Sequence, residues 1–210
     1  MKILHGHEMD WAESPRRGVW RKRFERIGPP ESGVVTSFVR YDPGSRFHAH
    51  PHPEGEEILV VRGIFSDHTG DHGPGSYLLN PEGFEHAPHS DEGCEIFVRL
   101  RQYPGERPTV RLDTTDASWS PCRFDGVTRC TLYESDGLST YLLRLEPGTR
   151  LPLIIAEDDE THFVVEGALE DERGVHPAQS YLHLEAGEGH TPRSPEGCVV
   201  YVAQRRPSMP

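Results

Sequence analysis

Glu56-Glu57-Ile58-Leu59-Val60-Val61-Arg62-Gly63 reappears 104 residues downstream as Glu160-Thr161-His162-Phe163-Val164-Val165-Glu166-Gly167, and this recurrence decides the architecture. The same offset carries Asp42-Pro43-Gly44 to Glu146-Pro147-Gly148, His86 to His190, and Asp91-Glu92-Gly93-Cys94 to Pro195-Glu196-Gly197-Cys198. Further upstream, Trp11 with Gly18-Val19 and Arg21 matches Trp119 with Gly126-Val127 and Arg129 at an offset of 108, so the second copy has lost four residues in between. The chain therefore reads as two copies of one domain, residues 1–108 and 109–210, joined near Gly105-Glu106-Arg107-Pro108.

Within each copy, β-branched and aromatic runs alternate with Pro/Gly turns. The runs are 34–41, 57–61, 76–79 and 95–101 in the first copy, and 139–145, 161–165, 180–184 and 199–203 in the second. No helical period separates them. With 21 Gly and 19 Pro in 210 residues, the expectation is an all-β fold of two tandem jelly-roll-like barrels.

A formal charge of −12 gives a surface that repels phosphate backbones, which weighs against a nucleic-acid partner. No long apolar run is present, so no membrane partner is expected. The start Met1-Lys2-Ile3-Leu4-His5-Gly6-His7 lacks the apolar core of a secretion signal, and the expected compartment is the cytoplasm. Cys94, Cys122, Cys130 and Cys198 are too scattered for a disulfide framework or a Cys-x-x-Cys zinc knuckle, and read as reduced thiols. Cys94 and Cys198, at equivalent points, suit small core positions.

Chemistry concentrates in the first copy. His50 and His52, two residues apart, project from the same face of a strand. Glu56 follows the Pro53-Glu54-Gly55 turn, and His86 follows Asn80-Pro81-Glu82-Gly83, a turn able to bring a distant strand back beside the pair. Three imidazoles and a carboxylate, without thiolate, suit Zn(II), Fe(II), Mn(II), Ni(II) or Cu(II) rather than Mg(II) or Ca(II). The expected metal ligands are thus His50, His52, Glu56 and His86, holding one divalent ion per chain, with Glu56 as ligand or catalytic base. In the second copy Ile154 and Ala156 replace the first two histidines while Glu160 and His190 remain. That copy reads as a degenerate domain in which Glu160, His162 and His190 form a polar plug. His48 is expected to hydrogen-bond a carbonyl. His5, His7, His68, His72, His89 and His176 fall in loops or ends without a defensible spacing.

The spacing Gly44-x5-His50-x-His52-x3-Glu56-x6-Gly63, followed by Gly75-x5-Pro81-x-Gly83-x2-His86, resembles position for position the two signature motifs of the cupin superfamily. Glu56-Glu57 leading to Gly63-Ile64-Phe65-Ser66-Asp67, the run from Cys94 to Arg101, and the upstream Trp-Gly-Val element are similar to the ChrR-like cupins. That family takes its name from an anti-sigma factor whose C-terminal domain is a zinc-binding cupin. The anti-sigma proteins carry a separate N-terminal helical domain. Here the cupin begins within the first two dozen residues, so the resemblance implies a tandem bicupin without that domain.

Two functions follow from the resemblance. One is a metal-dependent, dioxygenase-like enzyme acting on a small oxygenated or enolisable organic molecule. The other is a regulatory or sensory cupin that answers oxidants, with a structural or sensing metal and a protein partner. A homodimer formed through edge strands is compatible with either.

Overall fold

The computed structural model describes residues 1–29, 32–102, 106–135 and 137–205; Gly105 of the expected junction lies outside them. Among the described residues the regular structure is strand, with one 3-10 turn at Gly6–Glu8. No helix is long and apolar enough to cross a membrane.

The chain divides into two compact units. The unit of residues 9–116 is built on a seven-stranded sheet in the order Val110–Asp113, Ser76–Asn80, Glu56–Gly63, Cys94–Leu100, Val34–Tyr41, Val19–Ile27, Ala12–Glu13. Short strands at Ser45–Arg46, His89–Ser90, Phe65–Asp67 and Gly70–His72 form a second sheet, and His50–His52 pairs with Phe84–His86. Val39, Ile58, Val60, Leu78, Ile96 and Val98 alternate on the inward face of the large sheet and make the core.

The other unit, residues 1–8 with 117–210, repeats this order. Lys2–His5 is the edge, followed by Ser180–Leu184, Glu160–Asp171, Cys198–Arg205, Leu138–Leu145, Val127–Ser135 and Ser120–Pro121. Its core is Val127, Leu145, Val164, Leu182, Val200 and Val202. The two-barrel, all-β reading matches this architecture.

The units are composed differently from the split at residues 108 and 109. At the offset of 108, Lys2–His5 corresponds to Val110–Asp113. Each of these first strands pairs with a strand of the other copy. Val110–Asp113 runs antiparallel to Ser76–Asn80, with Tyr77 opposite Leu112, and Lys2–His5 runs antiparallel to Ser180–Leu184, with Tyr181 opposite Leu4. The registers are equivalent, so the copies exchange their first strands reciprocally. Self-similarity marks the copies, whereas the compact units, divided at 8/9 and 116/117, follow which strands pair.

Each large sheet curls into the second at one glycine. Gly63 has φ 71° and Gly167 has φ 69°, beside a break in register between Glu95 and Ile96 and between Val164 and Glu166 respectively. A Cβ at Gly63 would collide with the carbonyl oxygen of Gly93, and one at Gly167 with that of Gly197. Only glycine allows both the left-handed φ and the close approach. The bend sends the chain on as Phe65–Asp67. Gly63→Ala is accordingly expected to cost about 2 kcal/mol or more in urea unfolding. Gly73→Ala, where an added Cβ meets nothing within 4 Å, should change stability little. Equal midpoints for the two variants would contradict this account of the bend.

Candidate metal centre

In the ladder between His50–His52 and Phe84–His86, His50 lies opposite His86 and His52 opposite Phe84. The turns that the sequence marks lock this register, because the amides of Gly55 and Gly83 both donate to the carbonyl of His52, at 3.2 and 2.8 Å. Alternation then sets all three imidazoles on one face. Their ligating nitrogens lie within 4.8 Å of one another. Glu56 abuts two of the three, its Oε2 lying 3.5 Å from His52 Nε2 and 3.3 Å from His86 Nε2, but it is not a member of that mutually close trio.

Hydrogen bonds fix the tautomers. His50 Nδ1 lies 2.9 Å from the carbonyl of His48; a carbonyl only accepts, so Nδ1 donates and Nε2 keeps its lone pair. His48 contributes through its backbone, while its side chain is exposed. His86 Nδ1 lies 2.9 Å from Asp67 Oδ2. Burial opposes the charge on Asp67, but hydrogen bonds from His72, His86 and Thr69 outweigh it and hold the carboxyl well below its usual range. Asp67 is therefore an anionic acceptor, and His86 also presents a lone pair at Nε2. His86 Nε2 and His52 Nε2 stand 3.0 Å apart, a gap that either a proton on His52 or a cation closes. Ligand atoms at right angles around an ion with bonds of ~2.1 Å would be ~3.0 Å apart. Burial pushes the His52 imidazole down despite the attraction of Glu56, which favours the neutral form a metal requires.

Glu56 is braced in turn. Asn80 Nδ2 donates to its Oε2 at 3.0 Å, and Arg111 Nη2 donates to Asn80 Oδ1 at 2.7 Å. The exchanged strand Val110–Asp113 delivers Arg111, whose guanidinium also lies 5.3 Å from the Phe84 ring centroid. His52, Glu56 and His86 are buried, whereas His50 is half-buried beside Phe47, with ring centroids 5.4 Å apart.

The four residues singled out by spacing thus converge. Asp67, His72, Asn80 and Arg111 were not singled out. A signal for two of them existed, because Asp67 and His72 recur as Asp171 and His176 at the offset of 104. His72 and His176, expected in loops or ends, lie in the short strands Gly70–His72 and Gly174–Pro177 and meet these carboxylates. His72 Nε2 is 3.7 Å from Asp67 Oδ1, and His176, 1% exposed, is bonded to Asp171 at 3.0 Å.

The family model of the ChrR cupin-like domain matches residues 1–104 and again 107–208. The chain belongs to the ChrR cupin-like family. Among solved structures, this cupin is similar to a candidate dioxygenase from Nostoc punctiforme, with 15% identity, a TM-score of 0.83, and coverage of 99% of this chain and 83% of that one. It is also similar to oxalate decarboxylase from Bacillus subtilis, with 14% identity, a TM-score of 0.67, and coverage of 97% and 75%. At these identities the likeness is one of fold. No curated protein matches the sequence.

The second cupin unit keeps part of the constellation and fills the rest with hydrocarbon. Glu160, His190, Asp171 and His176 remain, whereas Ile154 and Ala156 stand for His50 and His52, Leu184 for Asn80, and Ile3 for Arg111. Ala156 and Leu184 are core residues, with Ile3 and Ile154 packed against them. His162 Nε2 meets Glu160 Oε2 at 3.0 Å. Among the described residues, Glu160, His162 and His190 do not form a group close enough for one ion. Cys94 and Cys198 are buried, and burial pushes the Cys94 thiol up to about 11.

Burial, then repulsion from His162, pushes His190 down to about 4 although Asp171 pulls it up. In the unfolded chain His190 titrates near 6.5, so the native state is destabilised as pH falls from 6.5 through 4, and His52 acts in the same direction. Metal-free protein should lose on the order of 3 kcal/mol from His190 alone across that window, measured by urea unfolding at stepped pH. His190→Gln should flatten the slope; an unchanged slope would contradict the assignment.

Proposed function

We propose that the unit of residues 9–116 holds one divalent ion through His50, His52 and His86, with Glu56 as fourth ligand or as base, and that this centre acts on a small oxygenated organic molecule. The second unit carries no barrel ion in this reading, because Ile154 and Ala156 offer no donor atoms. The observation that carries the reading is the convergence of fixed lone pairs. His50 and His86 have their other nitrogens committed to a carbonyl and a carboxylate, so both Nε2 atoms are aimed before any ion arrives. The nitrogen-rich donor set fits Zn(II) or Fe(II), with Mn(II) and Ni(II) as further candidates.

When bound, such an ion with open positions would polarise a carbonyl or enolate and, as Fe(II), support dioxygen chemistry. The chain's own residues do the remainder. Glu56, steadied by Asn80 on Oε2, accepts the proton that an enolisable substrate gives up. Arg111 holds Asn80 in the orientation that donates to Glu56. Phe47 and Phe84 wall the histidines with hydrocarbon, which limits water around the reacting atoms. Oxidative cleavage of a diketone-like compound is the reaction this reading assigns, and the fold is one that a candidate dioxygenase also has. Membership of the ChrR cupin-like family favours a second reading, in which loss of the metal to an oxidant changes contact with a protein partner.

Metal analysis after purification without added metal should find the barrel ion in the wild type and lose it in His86→Ala. Asp67→Asn should weaken binding about 10- to 100-fold without unfolding the barrel. An ion retained at full affinity in both variants would reject this ligand set.

Oxygen uptake separates the two readings. Protein stripped of metal and loaded anaerobically with Fe(II) should consume dioxygen only when a β-diketone or similar enolisable compound is added, and Glu56→Gln should slow turnover by about 10²-fold or more. If no enolisable compound supports uptake with Fe(II) or Mn(II), while peroxide expels the metal and changes which protein co-purifies, the enzymatic reading falls and the regulatory one stands.

A further inference from the structure

The residues that precede the first barrel form a second constellation of donors. Lys2–His5 is hydrogen-bonded along Ser180–Leu184, and the chain then turns sharply through Gly6–Glu8. That turn is pinned. The Gly6 amide donates to the carbonyl of Gln179 at 3.0 Å, and a Cβ on Gly6 would lie 2.6 Å from the same oxygen, so only glycine lets the chain approach so closely. Ile3 packs on the hydrophobic core, and the amino terminus of Met1 pairs with Glu188. The turn is thus tied down where it leaves the strand, and it sets His5, His7 and Glu8 together at the surface, with one potential ligand atom from each within 4.8 Å of the others.

A relay of hydrogen bonds decides which atom His5 offers. Asp171 is an anionic acceptor. Burial would raise its carboxyl, but bonds from His176, the Arg173 amide and His190 hold it below the usual range. Because a carboxylate can only accept, His176 Nε2, 3.0 Å from Asp171 Oδ1, carries the proton. His176 Nδ1 is then a lone pair, and His5 Nε2, 3.4 Å away, is the donor towards it. His5 is left with its lone pair on Nδ1, and that atom faces Glu8 Oε2 at 3.7 Å. The other oxygen of Glu8 lies 3.7 Å from His7 Nε2. Two acceptors facing one another at the surface, one of them backed by a buried Asp–His pair, are arranged as a metal-bound imidazole and its carboxylate neighbour are. Tetrahedral ligand atoms with bonds of ~2.05 Å would stand ~3.4 Å apart, so little movement is needed to close the set.

The matching turn in the other unit argues against a generic feature of the fold. At the offset of 108 its residues are Asp113, Thr114, Thr115 and Asp116. There the polar atoms satisfy one another, the amide and hydroxyl of Thr115 both donating to Asp113 Oδ1 at 2.8 and 2.6 Å. The first unit carries the equivalent pair Asp67–His72, but its turn holds no histidine, so an outward imidazole beside such a pair is present at His5.

We propose that His5 Nδ1, His7 Nε2 and the Glu8 carboxylate bind a Zn(II)-class divalent ion at the surface of the second unit, with water in the remaining position. This site is separate from the barrel centre and does not depend on it; if both exist, the chain carries two ions. Two imidazoles and a carboxylate in water, open to exchange, should form the weaker of the two.

Zn(II) titration of the full chain against a chromogenic chelator tests this. Wild type should show two classes of site. His7→Ala combined with Glu8→Gln should lose one equivalent, the weaker, while leaving the tighter class and the thermal unfolding curve unchanged, since both side chains are exposed. His52→Ala should do the reverse, removing the tighter class and keeping the weaker. A wild type that binds no more Zn(II) than the His7→Ala/Glu8→Gln variant overturns the proposal, whether or not His52→Ala folds. A weaker class that disappears in that variant, in a wild type lacking the tighter class, would keep this site and reject the barrel reading.

Discussion

The carbonyl oxygen of Gly93 occupies the space where a side chain at position 63 would have to go, and the barrel depends on that contact. Because Gly63 has no side chain, the strand Glu56–Gly63 can turn out of the seven-stranded sheet and the chain can continue as Phe65–Asp67 in the second sheet. The strand that follows places Asp67 behind His86. If the bend were lost, the large sheet would run on flat and the aspartate would have no imidazole to orient. Gly167 and Gly197 reproduce the contact in the second unit, where Asp171 reaches His190 at 3.2 Å in the same way.

The two units form a matched pair in which fold is held constant and chemistry varies. In the first unit Asn80 and Arg111 brace Glu56, so their partner is the carboxylate rather than His50 or His52. In the second unit those two positions hold Leu184 and Ile3, Ile154 and Ala156 stand for the histidines, and Glu160 is met by His162 and Gln204 instead. Asp171 accepts from both His176 and His190, so this trio is satisfied within the chain. A buried polar network that is satisfied internally needs no outside partner to remain stable.

Much of this was legible in the sequence, and the remainder has a physical reason for escaping it. The offset of 104 exposes the two barrels, and the short-range spacing of His50 and His52 exposes a pair of imidazoles on one face, because alternation along a strand is a local rule. Asp67, Asn80 and Arg111 act across strands that are distant in the chain, and their pairing is set by closure of the sheet rather than by any local period. His5 and His176 are 171 residues apart and are joined by the edge strand Lys2–His5. No window of sequence could relate them, although the repetition of Asp67 and His72 as Asp171 and His176 was visible and marked residues that act as a pair.

The reciprocal exchange of first strands changes the order of the closing reaction. In two separate molecules, each sheet would be completed by a strand from the other, as in a domain-swapped dimer, and closure would depend on protein concentration. Within one chain the same step is unimolecular, and a short connection keeps the exchanged strand at an effective concentration on the order of millimolar. Dilution therefore does not uncover the Ser76–Asn80 or Ser180–Leu184 edge. A strand from another copy would have to exceed that concentration to displace Val110–Asp113 and withdraw Arg111 from Asn80.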